Sequence, residues 1–359
     1  MEILINRHES PYNWNQHLHN NSGSIFMTKE WLDTISSSER IPLYIRFSYE
    51  GEIVAVLGGI ELLTLKGTRK QLFFYSGIVA KNKDAGLIKK CKSTLYKFAR
   101  KNKYFRISIR SYDHQSYFHA KVKQFRAEPR SEYITFLNNH NNEIINFDRE
   151  IKRIARKAKR EGVVFKKSSS ESLTENLFSL LNETYNKRKS KGYGDYSFLF
   201  LPFFNKEEVH KLVASNNATF YYAEFQNEIL SIQLVFEWEK RAYAIFMGTS
   251  PAGYKANAPA FLVYETTWAL KNQKYQYYNH GGIPRGQKNE GIRRFKKDIG
   301  AIPVFSSEEV TNFMTFPLYL LNTLLSFKFF LLNLNIFPWS FKKAVINLID
   351  SILKKRDEY

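Results

Sequence analysis

Cysteine is almost missing from this chain. Cys91 is the only one in 359 residues, which excludes an internal disulfide and any metal centre built from several thiolates. The eight histidines show no His-Glu-x-x-His or similar ligand spacing, and His17-x-His19 alone is too weak a pattern to hold an ion, so no metal is expected. Acidic residues are scarce too. Asp and Glu number 34 against 54 Lys and Arg, for a formal net charge of +20. That deficit points to an anionic partner, whether nucleic acid, a phosphorylated nucleotide or lipid, or an acidic membrane surface. Long unbroken apolar runs are lacking as well. Phe313 to Phe341 comes nearest, but Asn322, Lys328, Asn333 and Asn335 interrupt it, which argues against a membrane-spanning helix. The opening MEILINRHESPYNW has no basic segment followed by an apolar run, so the expectation is a chain without a secretory signal, working in a reduced cytoplasmic setting.

What the chain does contain is a globular balance, 43% hydrophobic and 25% charged, long enough for two domains of ordinary size. Its pattern repeats. EGEIVAVLGGIELL from Glu50 and QNEILSIQLVFEWE from Gln226 each alternate as strands, and each is followed by a second strand, LFFYSGIVA or AYAIFMGTS. Helices are predicted next, over Leu87 to Lys101 and Asn257 to Lys271, and each leads into an aromatic strand, YFRISIRS at Tyr104 and YQYYNHGG at Tyr275. The matching spacing predicts a duplicated α/β unit. Runs of Tyr and Phe follow strand periods and are read as core, and no nucleic-acid motif is visible.

Positive charge clusters in three places. Between Lys89 and Arg130 the cations face only Asp113 and Glu128. FDREIKRIARKAKREGVVF sets Ile151, Ile154, Ala155 and Ala158 on one helical stripe with cations elsewhere, and Gly162 is placed to end that helix. A solvated surface helix and a phosphate-contacting one fit this pattern equally. The third cluster follows Gly281 and Gly282, where Arg293, Arg294, Lys296 and Lys297 lie on a segment of helical spacing. Paired glycines allow a sharp turn and close approach to backbone N–H groups, so nearby negative charge would be stabilised there. Past Pro303, aromatic residues mix with Lys342, Lys343, Lys354, Lys355 and Arg356, which suits a helix lying in the headgroup region of an anionic leaflet or packing onto protein.

Three of these stretches carry a family resemblance. IKRIARKAKREGV, APAFLVYETTWALKNQKYQYYNHGGI and GIRRFKKDIG, together with NETYNKRKSKGY, resemble the second domain of the Fem-type peptidoglycan cross-bridge aminoacyltransferases. The resemblance implies an α/β (α+β) fold of two tandem GNAT-like domains, each a mixed sheet flanked by helices, with an amphipathic helical tail. The expected boundaries are 1–146, 147–306 and 307–359. It implies amide formation, an amine of a peptidoglycan precursor attacking the ester of an aminoacyl-tRNA. No bound cofactor is expected, and aminoacyl-tRNA is the acyl donor. The expected partners are an anionic, phosphorylated cell-wall precursor, tRNA, and an anionic membrane surface reached through residues 313–359 at the inner face of the cell membrane. Carried over residue by residue, Lys296 falls on the lysine that stabilises the tetrahedral oxyanion and Arg188 on the arginine that meets the acceptor's phosphates. Tyr193 and Tyr243 lie near substrate-contacting tyrosines. Gly281, Gly282 and Arg293 complete the expected substrate-binding set.

The chain also departs from that family. Asn279 stands where the family often has Asp, the lysine expected shortly after Trp31 is missing from Leu32 to Ser38, and the long helical hairpin of some members is absent because VVFKKSSSESL follows the basic helix directly. An acyl-CoA-dependent N-acyltransferase acting on a sugar amine or amino-lipid is the second reading. SPAGYKANAP, which lacks the Gly-x-Gly or Gly-x-Ala of a pyrophosphate loop, speaks against it. A non-catalytic module binding anionic glycolipid or RNA is the third. Asp195, Glu224, Glu237 and Glu265 are candidate carboxylates near the site, with a paired, half-buried state expected in preference to a general base.

Overall fold

The computed structural model describes residues 1–64, 69–81, 83–116, 120–138, 145–192, 201–283, 290–316, 318–324, 327, 345–348 and 351. They form two compact units. Unit 1 comprises Met1–Ser111, Gln115–Pro129 and the described part of Ser307–Tyr359, and unit 2 comprises Tyr112–His114 with Arg130–Ser306.

In unit 1 the strands β1 (Glu2–Asn6), β2 (Arg40–Tyr49), β3 (Glu52–Thr64), β4 (Arg69–Phe74), β6 (Arg106–Ile109) and, from Ser307 on, β13 (Ile302–Thr311) lie side by side in that order, and β5 (Val79–Ala80) pairs with β3. Only the β4–β6 pair is parallel, because helix α3 (Ala85–Lys101) makes the crossover between them. Asp84 caps α3 by accepting from the Leu87 N–H, and Ile88, Cys91, Leu95 and Ala99 recur on its buried side. Helices α1 (Pro11–Asn20) and α2 (Lys29–Thr34) supply aromatic core. The Trp14 and Tyr44 rings meet edge to face at 5.0 Å, and Phe26 and Trp31 at 4.7 Å.

Unit 2 repeats the plan. Its strands β8 (Val164–Ser168), β9 (Ala218–Phe225), β10 (Glu228–Trp238), β11 (Arg241–Thr249), β12 (Tyr277–Gly282) and, from Arg130 on, β7 (Phe125–Phe136) follow in that order, with β11–β12 as the parallel pair and the neighbouring pairs antiparallel. The crossover contains a short helix α7 (Pro251–Lys255) and then α8 (Ala258–Asn272). Buried residues fall on several sides of α8, from Ala258 and Phe261 to Thr267 and Leu270, because the sheet lies on one side and α4 (Arg149–Arg160) on another. Helix α4 matches its predicted span. Ile151, Ala155 and Ala158 are buried, its cations are outside, and Gly162 takes the left-handed φ of +89° just past its end. Helices α5 (Leu173–Ser190) and α6 (Lys206–Ala214) link β8 to β9.

The duplicated pattern read from the sequence is therefore the fold. Its sixth strands differ from chain order, however. β13 comes from the far end of the chain to complete the unit 1 sheet, pairing Glu309 with Ile109, while β7 precedes α4 and pairs with β12 in unit 2. The apolar segment from Phe313 does not begin as a separate tail. Phe313, Leu318 and Leu321 pack with Phe105 of unit 1, and Asn322 holds the Phe313 backbone at both N–H and C=O.

Candidate active site

Strands β11 and β12 run together for only three residues, Arg241 to Tyr243 beside Tyr277 to Asn279. Beyond that point β11 stays with β10, through a bulge that leaves Ile245 unpaired. β12 turns instead through Gly281, whose φ is +71°, and its pairing with β7 slips between Asn279 and Gly282. Both glycines suit this turn. At Gly281 a side chain would be strained in the left-handed region, and at Gly282 a Cβ would sit 3.1 Å from the Ser131 carbonyl.

Helix α9 (Glu290–Asp298) brings Lys296 to this turn. The helix closes with Gly300 in a left-handed cap, Ala301 N–H donating to the Lys296 carbonyl and Gly300 N–H to that of Lys297, so its last turn is fixed. Lys296 is only 8% exposed. Its ammonium donates to the backbone carbonyls of His280 at 2.6 Å, Gly281 at 2.9 Å and Gly282 at 2.9 Å, and lies 5.5 Å from the Tyr133 ring centroid. All three of its N–H bonds are thus directed at the turn. Burial pushes its pKa down to about 7, with Arg130 acting in the same sense and Glu132 opposing. Burial and the charge of Lys296 likewise push His280 down to about 3, so that imidazole is neutral at physiological pH.

The same turn is held from its other side by a carboxylate that sequence reasoning missed. Glu132 on β7 is 1% exposed. One of its oxygens accepts from Tyr243 Oη at 2.7 Å and Arg130 Nη2 at 3.2 Å, the other from Asn279 Nδ2 at 2.8 Å and the Asp113 N–H at 3.1 Å. Asn279 Oδ1 then accepts from the Gly281 N–H at 2.8 Å. Asn279 therefore bridges carboxylate and turn, and an amide suits the position: it must donate one way and accept the other, and the anion is already supplied by β7. Asp113, itself buried, takes the Tyr277 hydroxyl at 2.7 Å. The signal for Glu132 was a lone acid in strand phase with Ile134 inside the apolar run of SEYITF.

The predicted site residues divide accordingly. Lys296, Gly281, Gly282 and Tyr243 converge, but Tyr243 is wholly buried, so in this conformation it supports Glu132 and cannot touch a substrate. Arg293 is exposed on α9. Arg188 is half-buried in the last turn of α5, a basic helix end that suits the dipole, where neighbouring Lys187 lies 3.3 Å over the Tyr254 ring. Tyr193 and Asp195 lie outside the described residues. Of the other carboxylates, Glu224 pairs with Lys166, Glu237 accepts from Tyr221 and Tyr275, and burial raises Glu265. Among the described residues no His, Cys, Asp and Glu cluster suits a metal.

Helix α7 fills the place where a pyrophosphate loop would precede α8. Its Gly253 N–H goes to Ser250 Oγ, and the N–H groups of Tyr254, Ala256 and Asn257 go to carbonyls of the same turn. Pro251 and Pro259 have none to offer.

Residues 146–297 match a family model described as an acetyltransferase (GNAT) domain. That segment is a GNAT-type acyltransferase domain. The fold is similar to that of FemX, with a TM-score of 0.64 at 12% identity over 86% of this chain and 97% of that one. L-PGS from Bacillus licheniformis is similar with a TM-score of 0.51 at 14% identity, over 89% of this chain and 96% of its own. A conserved protein of unknown function from Bacteroides thetaiotaomicron gives 0.54 at 11% identity, over 86% and 99%. No curated protein sequence matches the chain.

Proposed function

We propose that this acyltransferase moves an aminoacyl group from aminoacyl-tRNA to an amine of a phosphorylated, peptidoglycan-type precursor. The observation that carries the reading is Lys296, a lysine enclosed at the turn of β12 with its charge held against the glycine pair. The amine nitrogen attacks the ester carbonyl, a C–N bond forms, and the carbonyl oxygen becomes anionic. Lys296 gives up one of its three carbonyl contacts to donate to that oxygen, a preorganised donor in poorly solvated surroundings. The ester C–O bond then breaks, and the leaving ribose oxygen takes up a proton as the new amide nitrogen loses one. Occupied N–H groups around α7 favour this donor over acyl-CoA, whose pyrophosphate requires backbone donors at that place.

A donor screen read by intact mass tests this. Charged tRNA with a nucleotide-linked precursor bearing a stem-peptide amine is expected to give one aminoacyl increment. An increment obtained only with acyl-CoA would transfer the assignment to the acyl-CoA reading.

Peripheral contact with an anionic membrane belongs to the same proposal. No helix among the described residues is long and apolar enough to cross a membrane. Phe316, Tyr319 and Leu320 are instead 81%, 62% and 62% exposed while their neighbours Phe313, Leu318 and Leu321 are buried. Deleting the segment would strip cover from Phe105, so a triple replacement of the three exposed residues by serine is the better probe. It is expected to lower co-sedimentation with phosphatidylglycerol vesicles severalfold; unchanged sedimentation rejects membrane contact through this patch.

A further inference from the structure

Unit 1 contains a cavity of about 660 Å³ that plays no part in the acyl-transfer reading, lined from β1, β2, β4 and the end of α3. Its floor is Tyr104. Behind it Glu61, 3% exposed toward the end of β3, accepts from the Tyr104 hydroxyl and from Arg7 Nη2, the latter at 2.9 Å. A carboxylate buried in a strand costs stability unless it is paired, and here its partners are two groups of the cavity wall. Arg7 is held by one nitrogen while its side chain remains 54% exposed, so the rest of the guanidinium fork faces outward. Lys70 approaches the same floor, its ammonium 4.8 Å from the Tyr104 ring centroid. Lys70 therefore lies over the Tyr104 ring and Arg7 beside its hydroxyl, and Glu61, the acid that Arg7 meets, is already engaged. His8 and Asn102 add polar edge, while Ile3, Ile5, Leu43 and Phe98 make the remaining wall apolar.

We infer that this cavity binds a small phosphate ester, with the phosphate between Arg7 and Lys70 and an apolar body against Phe98, Leu43 and the β1 isoleucines. A planar guanidinium matches phosphate oxygens in pairs, and a lysine adds a mobile point charge. An inorganic anion would satisfy the cations and leave the apolar wall uncovered, so the ester is preferred.

Calorimetric titration of the full chain with phenyl phosphate and with inorganic phosphate tests the assignment. Phenyl phosphate is expected to bind about tenfold or more tightly than inorganic phosphate, for burial of its ring. Lys70→Gln should weaken phenyl phosphate about tenfold, the loss of one charge-assisted contact, with Arg7→Lys weakening it as well. Lys297→Gln, an exposed cation in unit 2, should leave binding unchanged. Lys70 is half-buried and makes no buried ion pair among the described residues, so its variant keeps the fold when that of Arg7 does not. Two further titrants identify the source: tighter binding of dihexanoyl phosphatidic acid, below its micelle concentration, than of uridine monophosphate assigns a lipid headgroup, and the reverse order assigns a free nucleotide-like ester. No saturable heat with phenyl phosphate, or equal affinity in wild type and Lys70→Gln, overturns the proposal. Neither result bears on the donor screen, whose residues lie in unit 2.

Discussion

Lys296→Met is expected to lower turnover a hundredfold or more while the protein remains folded. Methionine keeps an unbranched side chain one atom shorter and removes the charge and all of the N–H bonds, so the transition-state oxygen loses its donor, a loss of about 3 kcal/mol or more. It also leaves the carbonyls of His280, Gly281 and Gly282 without the partner they have in the native turn. A loosened turn alone would raise KM and lower stability. Loss of the oxyanion donor instead lowers kcat and kcat/KM together, and single-turnover rates with saturating acceptor, alongside thermal unfolding, distinguish the two. A folded variant within tenfold of wild type would remove Lys296 from the chemistry.

The pH profile gives this prediction a second, independent arm. With its folded-state pKa lowered from 10.5 to about 7, Lys296 loses its proton as pH rises through 7, so kcat/KM is expected to fall on a limb near that value. Lys296→Arg, which stays charged, should lose that limb even where its bulk reduces the rate. The linkage has the opposite direction for stability. Between pH 7 and 10.5 the unfolded lysine holds its proton and the folded one does not, so this group's contribution to stability grows with pH across that window and is lost as pH falls back through 7. Activity and stability should therefore diverge above pH 7, a separation that an exposed lysine on α9 could not produce.

Much of this arrangement could be read in the chain, and the unreadable part has a common cause. Helix α4, the paired hairpins and the crossover helices follow from local period and caps, which lie within a few residues of the positions they control. Lys296 and the glycine pair were legible because they stand in one short segment. Glu132 was not: its four donors come from β7, β11, β12 and the residue preceding His114, and their meeting depends on strand register. For the same reason Tyr243 looked like a substrate contact. Alternation along AYAIFMGTS places it in the strand but does not say what opposes its hydroxyl. The exchange of sixth strands is equally non-local, since β13 joins β6 with Glu309 opposite Ile109 and nothing in FSSEEVT specifies that partner.

Glu132→Ala should be the most destabilising single change in unit 2, costing about 3–5 kcal/mol in urea unfolding, the range for removing one member of a buried charged group. Arg130 would retain its charge beside Lys296 with the intervening anion removed, and the Tyr243 hydroxyl and Asn279 amide would each lose the acceptor shown here. Glu132→Gln isolates the electrostatic part. Glutamine keeps the volume and one oxygen, but its NH2 must face donors on one side, so about 1–3 kcal/mol of the loss should remain. Catalysis should suffer in both variants, because Asn279 passes the anchoring of Glu132 to the Gly281 N–H and the turn that Lys296 grips is fixed from that side. Removing the carboxylate also removes the group that opposes the fall in the Lys296 pKa, so the limb near pH 7 should move lower in Glu132→Gln. A limb that stays in place would mean that Glu132 serves the fold and does not tune the lysine.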